Sequence, residues 1–340
     1  MNVNNKDNKK TSKNIDNKAN NVNFWQKLEK PIFAIAPMAN VTDIAFRSMF
    51  AKYGKPSVMW TEFVSADGLC SKGKKNLLRD LEYSPKERPI VAQLFSGNKE
   101  KMFEAGKLIE ELGFDGLDIN MGCPDRKVEK QGAGAGHMKD IKLAIEIIES
   151  ARKGASHIPI SVKTRIGYNK VEIDTWIKAL LEQRLPAITV HLRTRKEMSD
   201  VPAHWELMPE IIKMRNEISP ETIILGNGDI NSMEEAKKKI EETGCDGVMI
   251  GRGIFGNPWF FSGKVPSDFP IKERLKVMLE HAKKFDKTLG DMKSFAIMKK
   301  HFKAYVSGWE GAKDLRVKLM ESNEIKEVEK IVKDYIKVLE

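Results

Sequence analysis

The chain has 340 residues, of which 41% are hydrophobic, and a formal net charge of +10. No apolar run approaches the roughly 18 residues of a membrane-spanning helix, which argues against a membrane protein. Three widely spaced cysteines argue against a disulfide framework and predict a reducing compartment, the cytoplasm. The basic balance suits a polyanionic partner, but lysines solvated on every helix would explain it equally well.

The N-terminal segment, residues 1–23, consists almost entirely of Asn, Lys, Asp, Ser and Thr. Such a composition cannot bury a core, so it predicts a disordered polar tail. It has neither the apolar stretch of a secretory signal nor the Arg-rich amphipathic pattern of a transit peptide. Its five Lys and two Asp give a charge of +3, which could help to hold RNA or reflect unselected compositional bias.

From Pro31 onward, short apolar runs alternate with amphipathic stretches such as Lys99–Leu112 and Ile141–Lys153. The eight runs are Ile32–Ala39, Ser57–Ser65, Ile90–Ser96, Gly116–Gly122, Ile160–Ile166, Ala187–Arg193, Thr222–Asp229 and Gly247–Ile254. This alternation predicts βαβ units and a parallel sheet buried on both faces. Eight units in about 225 residues favour a closed (β/α)8 TIM barrel, over residues 24–262, rather than an open doubly wound sheet.

Residues able to do chemistry recur at the C-terminal ends of these runs, the face on which barrels carry their active sites. They are Met38, Gln93, Asn120 with Cys123, Lys163 with Arg165, His191 with Arg193, Asn227 with Asp229, and Gly251 with Arg252. Their recurrence at one end of every unit but the second is a stronger signal than any single motif.

The pattern changes after Pro258-Trp259, where a linker, Ser262–Pro270, leads to residues 271–340. This last region shows helical periodicity only, which predicts a smaller all-helical C-terminal domain. Between Lys272 and Lys318, 13 Lys/Arg face 6 Asp/Glu, an excess of +7 that favours nucleic-acid contact. The interleaved aromatic residues are better explained as the core of a helical bundle.

Gly226–Asp229 and Gly251–Gly253 end the seventh and eighth runs, where barrels usually bind phosphate. Glycine lets backbone N–H groups approach a phosphate closely, and Arg252 would add a charge-assisted hydrogen bond. Either loop alone could be an ordinary tight turn, but both at these positions favour a phosphate site.

A phosphorylated ligand held there would extend over the barrel mouth, among Met38, Gln93, Lys163 and His191. Glutamine offers a donor and an acceptor for the edge of a flavin ring, and lysine would stabilise the anion of reduced flavin. Lys163 could instead pair with Asp118 inside the barrel. Taken alone, His191 is better explained as a structural hydrogen-bonding residue.

Cys123 stands between Gly122 and Pro124 at the end of the fourth run, where it could be a nucleophile, a metal ligand or a proton donor. No second Cys or His lies at ligand spacing, which argues against a metal. No oriented base is evident nearby, which argues against acyl transfer. Proton donation opposite a hydride donor fits a flavin site. We interpret the other two cysteines, Cys70 and Cys245, as structural.

Taken together, these motifs resemble those of the tRNA-dihydrouridine synthases, over about residues 31 to 320. The matching motifs are Ala36-Pro37-Met38-Ala39 with Thr42-Asp43, Gln93-Leu94, Asn120-Met121-Gly122-Cys123-Pro124, Gly132-Ala133-Gly134-Ala135, Val162-Lys163-Thr164-Arg165, His191-Leu192-Arg193-Thr194-Arg195, Gly226-Asn227-Gly228-Asp229-Ile230, Gly251-Arg252-Gly253 and Gly256-Asn257-Pro258-Trp259.

The resemblance implies an FMN-binding barrel, a helical domain that helps to grip tRNA, and NADPH as the reductant. The sequence does not fix the oligomeric state, and we take a monomer on tRNA as the default expectation. Reduced FMN would deliver hydride to C6 of a uracil while Cys123 protonates C5. Asn120 would lie at the flavin–substrate interface, with Arg165 and Arg195 as further substrate contacts. The implied cofactor-binding residues are Pro37, Met38, Ala39, Gln93, Lys163, His191, Asn227, Gly228, Asp229, Gly251 and Arg252. No metal is implied.

Two physical demands agree with this resemblance. The target base is stacked inside folded tRNA, so it must be flipped out at a cost of a few kcal/mol. A basic surface can offset that cost through phosphate contacts, and the net charge of +10 indicates such a surface.

The chain departs from the family pattern at Leu192, where glycine is usual, at residues 196–201, and at Gly136-His137. Three alternatives stay open: a flavin barrel acting on a free small molecule, a non-redox barrel enzyme of phosphosugars, and a non-catalytic tRNA chaperone. The basic helical appendage argues against the first of these, and Cys123 with Lys163 would need other roles in the second.

Overall fold

A computed structural model describes residues 23–339. The polar tail predicted for residues 1–23 therefore lies, except for Asn23, outside the described residues. A 3-10 turn, Phe24–Lys27, is the first element, and a barrel follows it.

Eight parallel strands form the barrel. They are β1 (Ile32–Ile35), β2 (Met59–Ser65), β3 (Ile90–Phe95), β4 (Gly116–Met121), β5 (Ile160–Arg165), β6 (Ala187–His191), β7 (Ile223–Asn227) and β8 (Gly247–Ile250). Each strand from β2 to β7 pairs with the next in sequence, and β8 also pairs with β1. A bridge between Ala34 and Val58, just before β2, closes the ring. The predicted (β/α)8 fold class is confirmed.

Every predicted run is longer than the strand it contains, and the difference is largest, four residues, at β1 and β8. β1 ends at Ile35 rather than Ala39, because Pro37 has no N–H to offer a ladder and the chain then turns. The N–H groups of Val41 and Thr42 both donate to the carbonyl of Met38. β8 ends at Ile250, and a 3-10 turn, Arg252–Ile254, replaces the end of the predicted run.

The interior of the barrel is apolar at one end and polar at the other. Trp25, from the first turn, packs with Trp60 and with alternate residues of the strands, which close the N-terminal end of the barrel. Because side chains of a strand alternate in direction, the inward positions further along β3 to β7 carry the polar residues. These are Gln93, Asp118, Asn120, Lys163, His191 and Asn227. The strand ends thus gather the predicted site residues on one face.

Helices cover the outside of the barrel and continue beyond it. Through β8 they are α1 (Ile44–Tyr53), α2 (Ala66–Leu69), α3 (Lys74–Asp80), α4 (Lys99–Glu111), α5 (Arg126–Glu129), α6 (Ile141–Gly154), α7 (Lys178–Glu182), α8 (Met208–Ile218) and α9 (Met233–Thr243). After β8 come α10 (Ile271–Leu289), α11 (Met298–Tyr305), α12 (Ala312–Glu321) and α13 (Ile325–Leu339). No strand follows β8 among the described residues, as the periodicity predicts.

The C-terminal helices have a core of their own, which extends onto the barrel. Phe285, Phe302 and Tyr305 are buried in it, as the core interpretation of the aromatic residues predicts. Ala45 and Met49 of α1 belong to the same cluster. Helices α10–α13 are therefore packed against the barrel through α1 rather than tethered by a linker alone.

Candidate active site

Two adjoining cavities open at the C-terminal ends of the strands, and Pro37, Lys163 and His191 line both. The glycine-end cavity has a volume of about 290 Å³ and is also lined by Ala36, Met38, Arg193, Ser199, Asn227, Gly228, Asp229, Ile230, Asn231, Met249, Ile250, Gly251, Arg252 and Gly253. The cysteine-end cavity, of about 160 Å³, is also lined by Phe63, Gln93, Asn120, Gly122, Cys123, Pro124 and Arg165. The shared residues make the two cavities one continuous groove.

The glycine-end cavity is lined by cationic side chains and by the backbone of glycine residues. Gly228 has a φ of +136°, which a residue with a side chain rarely adopts, and an added Cβ would lie 2.6 Å from the Cβ of Ala203. An added Cβ on Gly251 would face the cavity beside the sulfur of Met38, at 3.6 Å. Arg252, with 66% of its side chain exposed, reaches Asp229 at 3.5 Å and keeps donors free for an anion.

Lys163 is the cation at the junction of the two cavities. Its Nζ donates to Oδ1 of Asn227 at 2.9 Å. Burial, with nearby Arg165, lowers its pKa to about 8. Asp118 does not form the ion pair considered above, because its two oxygens accept from Gln93 and Ser161 instead. Lys163 is therefore available to stabilise a negative charge in the groove.

His191 is neutral in this setting. Burial and then the positive charge of Lys163 hold its pKa well below the ordinary value. Its Nε2 lies 3.1 Å from Nη1 of Arg193, which can only donate, so Nε2 accepts and Nδ1 carries the proton. His191 is thus a neutral hydrogen-bond donor through Nδ1.

The sequence places Arg193 at the end of a strand but does not predict it as a site residue. It is buried, donates through Nε to the carbonyl of Val201 at 2.6 Å, and pairs with Asp229. It therefore joins His191 of β6 to the loop after β7. Its position two residues after His191, and so on the same side of the chain, is the signal that could have identified it.

Cys123 is half-buried and lies at the far end of the groove. Its N–H donates to Oδ1 of Asn120 at 2.9 Å, and its carbonyl accepts from the N–H of Ala135 at 2.9 Å. Burial raises the pKa of its thiol above the usual value, so the group is protonated at neutral pH. A protonated thiol beside an open cavity is suited to proton donation rather than nucleophilic attack.

The two arginines predicted as substrate contacts differ in their surroundings. Arg165 lines the cysteine-end cavity but donates to the carbonyls of Gly122, Thr194 and Met198, so it supports the loops around the thiol. Arg195 lies outside both cavities, paired with Glu129 on the rim beside Pro124.

The residues that line the groove differ from the predicted site residues at a few positions. Ala39 is exposed and lines neither cavity, whereas every other predicted cofactor-binding residue lines at least one. Phe63 and Ser199 line the groove but were not predicted, because neither lies at the end of a polar strand motif. Tyr168, also not predicted, donates to Glu129 at 2.6 Å on the rim, and the ring of Tyr168 packs under Arg195.

Within residues 23–339, no cluster of three or more His, Cys, Asp or Glu is arranged to hold a metal ion. Over the same residues, no helix combines the length and the apolar character needed to cross a membrane.

Comparison with known proteins assigns the chain to a family. The model of the family described as "Dihydrouridine synthase (Dus)" matches residues 34–340. The chain belongs to the dihydrouridine synthase family. It is 40% identical over 316 residues to a Bacillus subtilis (strain 168) protein named "Probable tRNA-dihydrouridine synthase 2", covering 92% of this chain and 96% of that protein. A Staphylococcus aureus (strain MRSA252) "Probable tRNA-dihydrouridine synthase" is 40% identical over 316 residues, covering 92% and 95%.

Solved structures share the fold of this family member at low identity. A complex of 2-naphthoyl-CoA reductase superposes with a TM-score of 0.52 at 11% identity, covering 71% of this chain and 50% of that one. The 6-hydroxypseudooxynicotine amine oxidase of Pseudomonas geniculata N1 gives a TM-score of 0.51 at 12% identity, covering 76% and 53%. At these identities the likeness concerns the fold alone.

Proposed function

We propose that this dihydrouridine synthase family member reduces the C5–C6 bond of a uridine in tRNA, with FMN as its cofactor and NADPH as the reductant. The observation that carries the proposal is the groove itself: a protonated thiol lies at one end and a cationic glycine-lined cavity at the other. The names of the 40% identical relatives supply the substrate class.

The donor set of the groove fits FMN. Backbone at Gly228 and Gly251, together with Arg252, would hold the phosphate, as close backbone approach and an exposed guanidinium permit. Pro37 and Met38 would border the cofactor, and the other predicted positions, Asn227 and Asp229, line the same cavity.

The middle of the groove fits the isoalloxazine ring. Gln93 offers a donor and an acceptor, His191 offers its Nδ1–H, and Lys163 offers a cation for the charge of the reduced ring. Bound there and reduced by NADPH, FMN would supply the hydride that uracil receives at C6.

Cys123 gives its thiol proton to C5 of the uracil as the hydride reaches C6. One C–H bond forms at each carbon, the double bond is consumed, and the thiolate left behind regains a proton from solvent. Asn120 orients the backbone of Cys123, and Arg165 supports the loop from below. Positioned acids of this kind contribute about 10²–10⁴-fold to rate.

The tRNA would be held partly outside the barrel, by the basic helices of residues 271–340, which we propose as a tRNA-binding domain. Phosphate contacts there would offset the cost of flipping the target uridine toward Cys123. Arg195, on the rim beside Pro124, would meet the nucleotides around the flipped base. We propose a cytoplasmic monomer.

Replacement of Cys123 tests the proposal directly. In the Cys123→Ala variant we expect at least a 100-fold slower formation of dihydrouridine, measured by mass spectrometry of nucleosides from unmodified tRNA, with tRNA affinity within about twofold of wild type. Cys70→Ala, a change away from the groove, is the matched control and should keep its activity. Full activity of Cys123→Ala would contradict the proposed proton donor, and absence of product from wild type would favour a tRNA chaperone.

A further inference from the structure

A chain of buried hydrogen bonds joins a carboxylate inside the barrel to the backbone of Cys123. Oδ2 of Asp118 accepts from Nε2 of Gln93 at 2.7 Å. Oε1 of Gln93 accepts from Nδ2 of Asn120 at 2.9 Å. Oδ1 of Asn120 accepts from the N–H groups of Gly122, at 3.1 Å, and Cys123, at 2.9 Å. We call this set the amide relay.

The direction of the amide relay is fixed from both ends. The carboxylate of Asp118 only accepts, so Gln93 must turn its NH2 group toward it. The backbone N–H of Cys123 only donates, so Asn120 must turn its oxygen toward it. These two requirements leave the oxygen of Gln93 facing the nitrogen of Asn120, as observed. If either amide flipped, like groups would face each other, and buried polar groups would be left unpaired at a cost in free energy.

Burying the carboxylate of Asp118 costs free energy, which indicates a role for its oxygens. It is fully buried, and burial raises its pKa to about 6 although Ser161 and Gln93 hydrogen-bond it. Lys163 does not compensate the charge by a hydrogen bond, because it donates to Asn227. An apolar side chain would avoid the cost of burial but would leave Gln93 without an acceptor.

Both amides line the cysteine-end cavity, whereas Asp118, two residues before Asn120 on β4, does not. Asp118 and Gln93 are register partners on β4 and β3, so the first hydrogen bond of the relay crosses the sheet directly. With the order of the relay fixed, each amide keeps one N–H group outside the relay, and both amides belong to residues that line the cavity.

We propose that Asp118 is a positioning residue: it is the acceptor at the base of the amide relay and sets which groups Gln93 and Asn120 present to the groove and how the Cys123 loop is held. This deepens the proposed function and, for cofactor binding, rests on it. Asp118 itself touches neither cavity and is not a catalytic residue.

Three variants distinguish the role of Asp118 as a hydrogen-bond acceptor from the effects of its charge and its volume. Asp118→Val removes the acceptor at similar size, Asp118→Asn keeps an acceptor oxygen without the charge, and Ser161→Ala removes the other partner of Asp118. The first readout is the dissociation constant for FMN, from quenching of flavin fluorescence. The second is hydrogen exchange of the Gly122 and Cys123 amides by NMR in the cofactor-free protein.

For Asp118→Val we expect FMN to bind at least tenfold more weakly and the two amides to exchange at least tenfold faster. Asp118→Asn and Ser161→Ala should stay within threefold of wild type in both readouts. Wild-type values for Asp118→Val would overturn the proposal, and so would equal losses in Asp118→Asn, because these would assign the effect to charge. If Asp118→Val does not fold, Asp118→Ala is judged by the same criteria.

The two readouts also keep the proposals apart. If the wild-type protein does not bind FMN, the proposed function fails, but exchange of the Cys123 amide still supports or overturns the role of Asp118.

Discussion

At the scale of single residues, the groove is built from groups whose protonation is set by burial. Cys123 keeps its proton because burial raises its pKa, and His191 stays neutral because burial and surrounding cations lower its pKa. Lys163 is the one of the three whose charge changes near physiological pH, because its pKa is lowered to about 8.

Lys163 predicts a pH dependence of FMN affinity. Below pH 8 it is charged and favours an anionic ligand; above pH 8 the free protein loses that charge, so affinity falls as pH rises. The phosphate is already mostly in its doubly ionised form at pH 7, since its second pKa is about 6. Between pH 7 and pH 9 we expect the dissociation constant to rise by up to about tenfold, from linkage. Lys163→Met should bind FMN more weakly with a flat profile, and a flat wild-type profile would contradict the prediction. Titration by flavin fluorescence measures both.

The sequence identifies residues of the groove wherever strand order alone brings them together. Lys163, His191 and Cys123 could be predicted because the C-terminal ends of parallel strands meet on one face. The roles of Asp118 and Arg193 could not, because they depend on which side chain a carboxylate or guanidinium contacts, and Arg193 meets a residue 36 positions away.

At the scale of elements, the loops after β7 and β8 are joined through a glycine. An added Cβ on Gly253 would lie 2.1 Å from the carbonyl oxygen of Ile230. Any side chain at this position would therefore collide with the backbone of the other loop. The glycine-rich sequence predicts a phosphate site, but only the structure shows that these loops position each other.

Gly253→Ala should therefore separate the two loops. Because the obstacle is backbone, we expect a loss of about 1–3 kcal/mol in unfolding free energy, as overpacking usually costs, together with weaker FMN binding. Chemical denaturation and flavin titration measure the two effects. Gly73→Ala, where an added Cβ would meet only the hydroxyl of Ser71 at 3.4 Å, should change neither. A Gly253→Ala protein with wild-type affinity would show that the loops are held independently.

A partly buried cation, Lys293, links the loop between α10 and α11 to the barrel. Lys293 pairs with Glu62 of β2 at 2.6 Å and with Asp80 of α3 at 2.7 Å. Glu62 also accepts a hydrogen bond from the backbone N–H of Asn40, in the loop after β1. The helices after β8 are thus connected, through Lys293, to the loop that carries Pro37 and Met38.

Lys293→Met should leave Glu62 buried without its cation. We expect the free energy of unfolding to fall by about 3–5 kcal/mol, the usual result of breaking a buried ion pair. Lys238→Met, which removes an exposed lysine 3.9 Å from Glu242, should change it by less than about 0.5 kcal/mol. Denaturant unfolding of the two variants gives both free energies. Equal stabilities would contradict the prediction and mean that solvent screens the ion pairs of Lys293.

At the scale of the whole molecule, the C-terminal helices carry exposed lysines that the proposed tRNA contact would use. Lys303 and Lys313 are exposed beside Val317 and Met320 on a surface groove of α11 and α12. The sequence predicts the barrel, the helical region and the excess of lysines; only packing shows which lysines are free and which, like Lys293, are used inside the protein.

Charge reversal at Lys303 and Lys313 should weaken tRNA binding without changing FMN affinity. Each lost phosphate contact reduces the slope of log affinity against log salt by about one. We expect the double variant Lys303→Glu/Lys313→Glu to bind tRNA at least tenfold more weakly at low salt and with a shallower slope, measured by fluorescence anisotropy. Lys238→Glu, on α9, is the matched control, and equal weakening by the control would assign the effect to net charge.

The central claim is that electrons pass from NADPH through a flavin in this groove to a uridine of tRNA. The most direct test is the visible absorption spectrum of the purified protein under anaerobic conditions, after NADPH and then after unmodified tRNA. We expect flavin bands that bleach with NADPH and return with tRNA. Bands that bleach and do not return would contradict the assignment of tRNA as substrate, and no flavin band even after FMN is supplied would contradict the account of the groove.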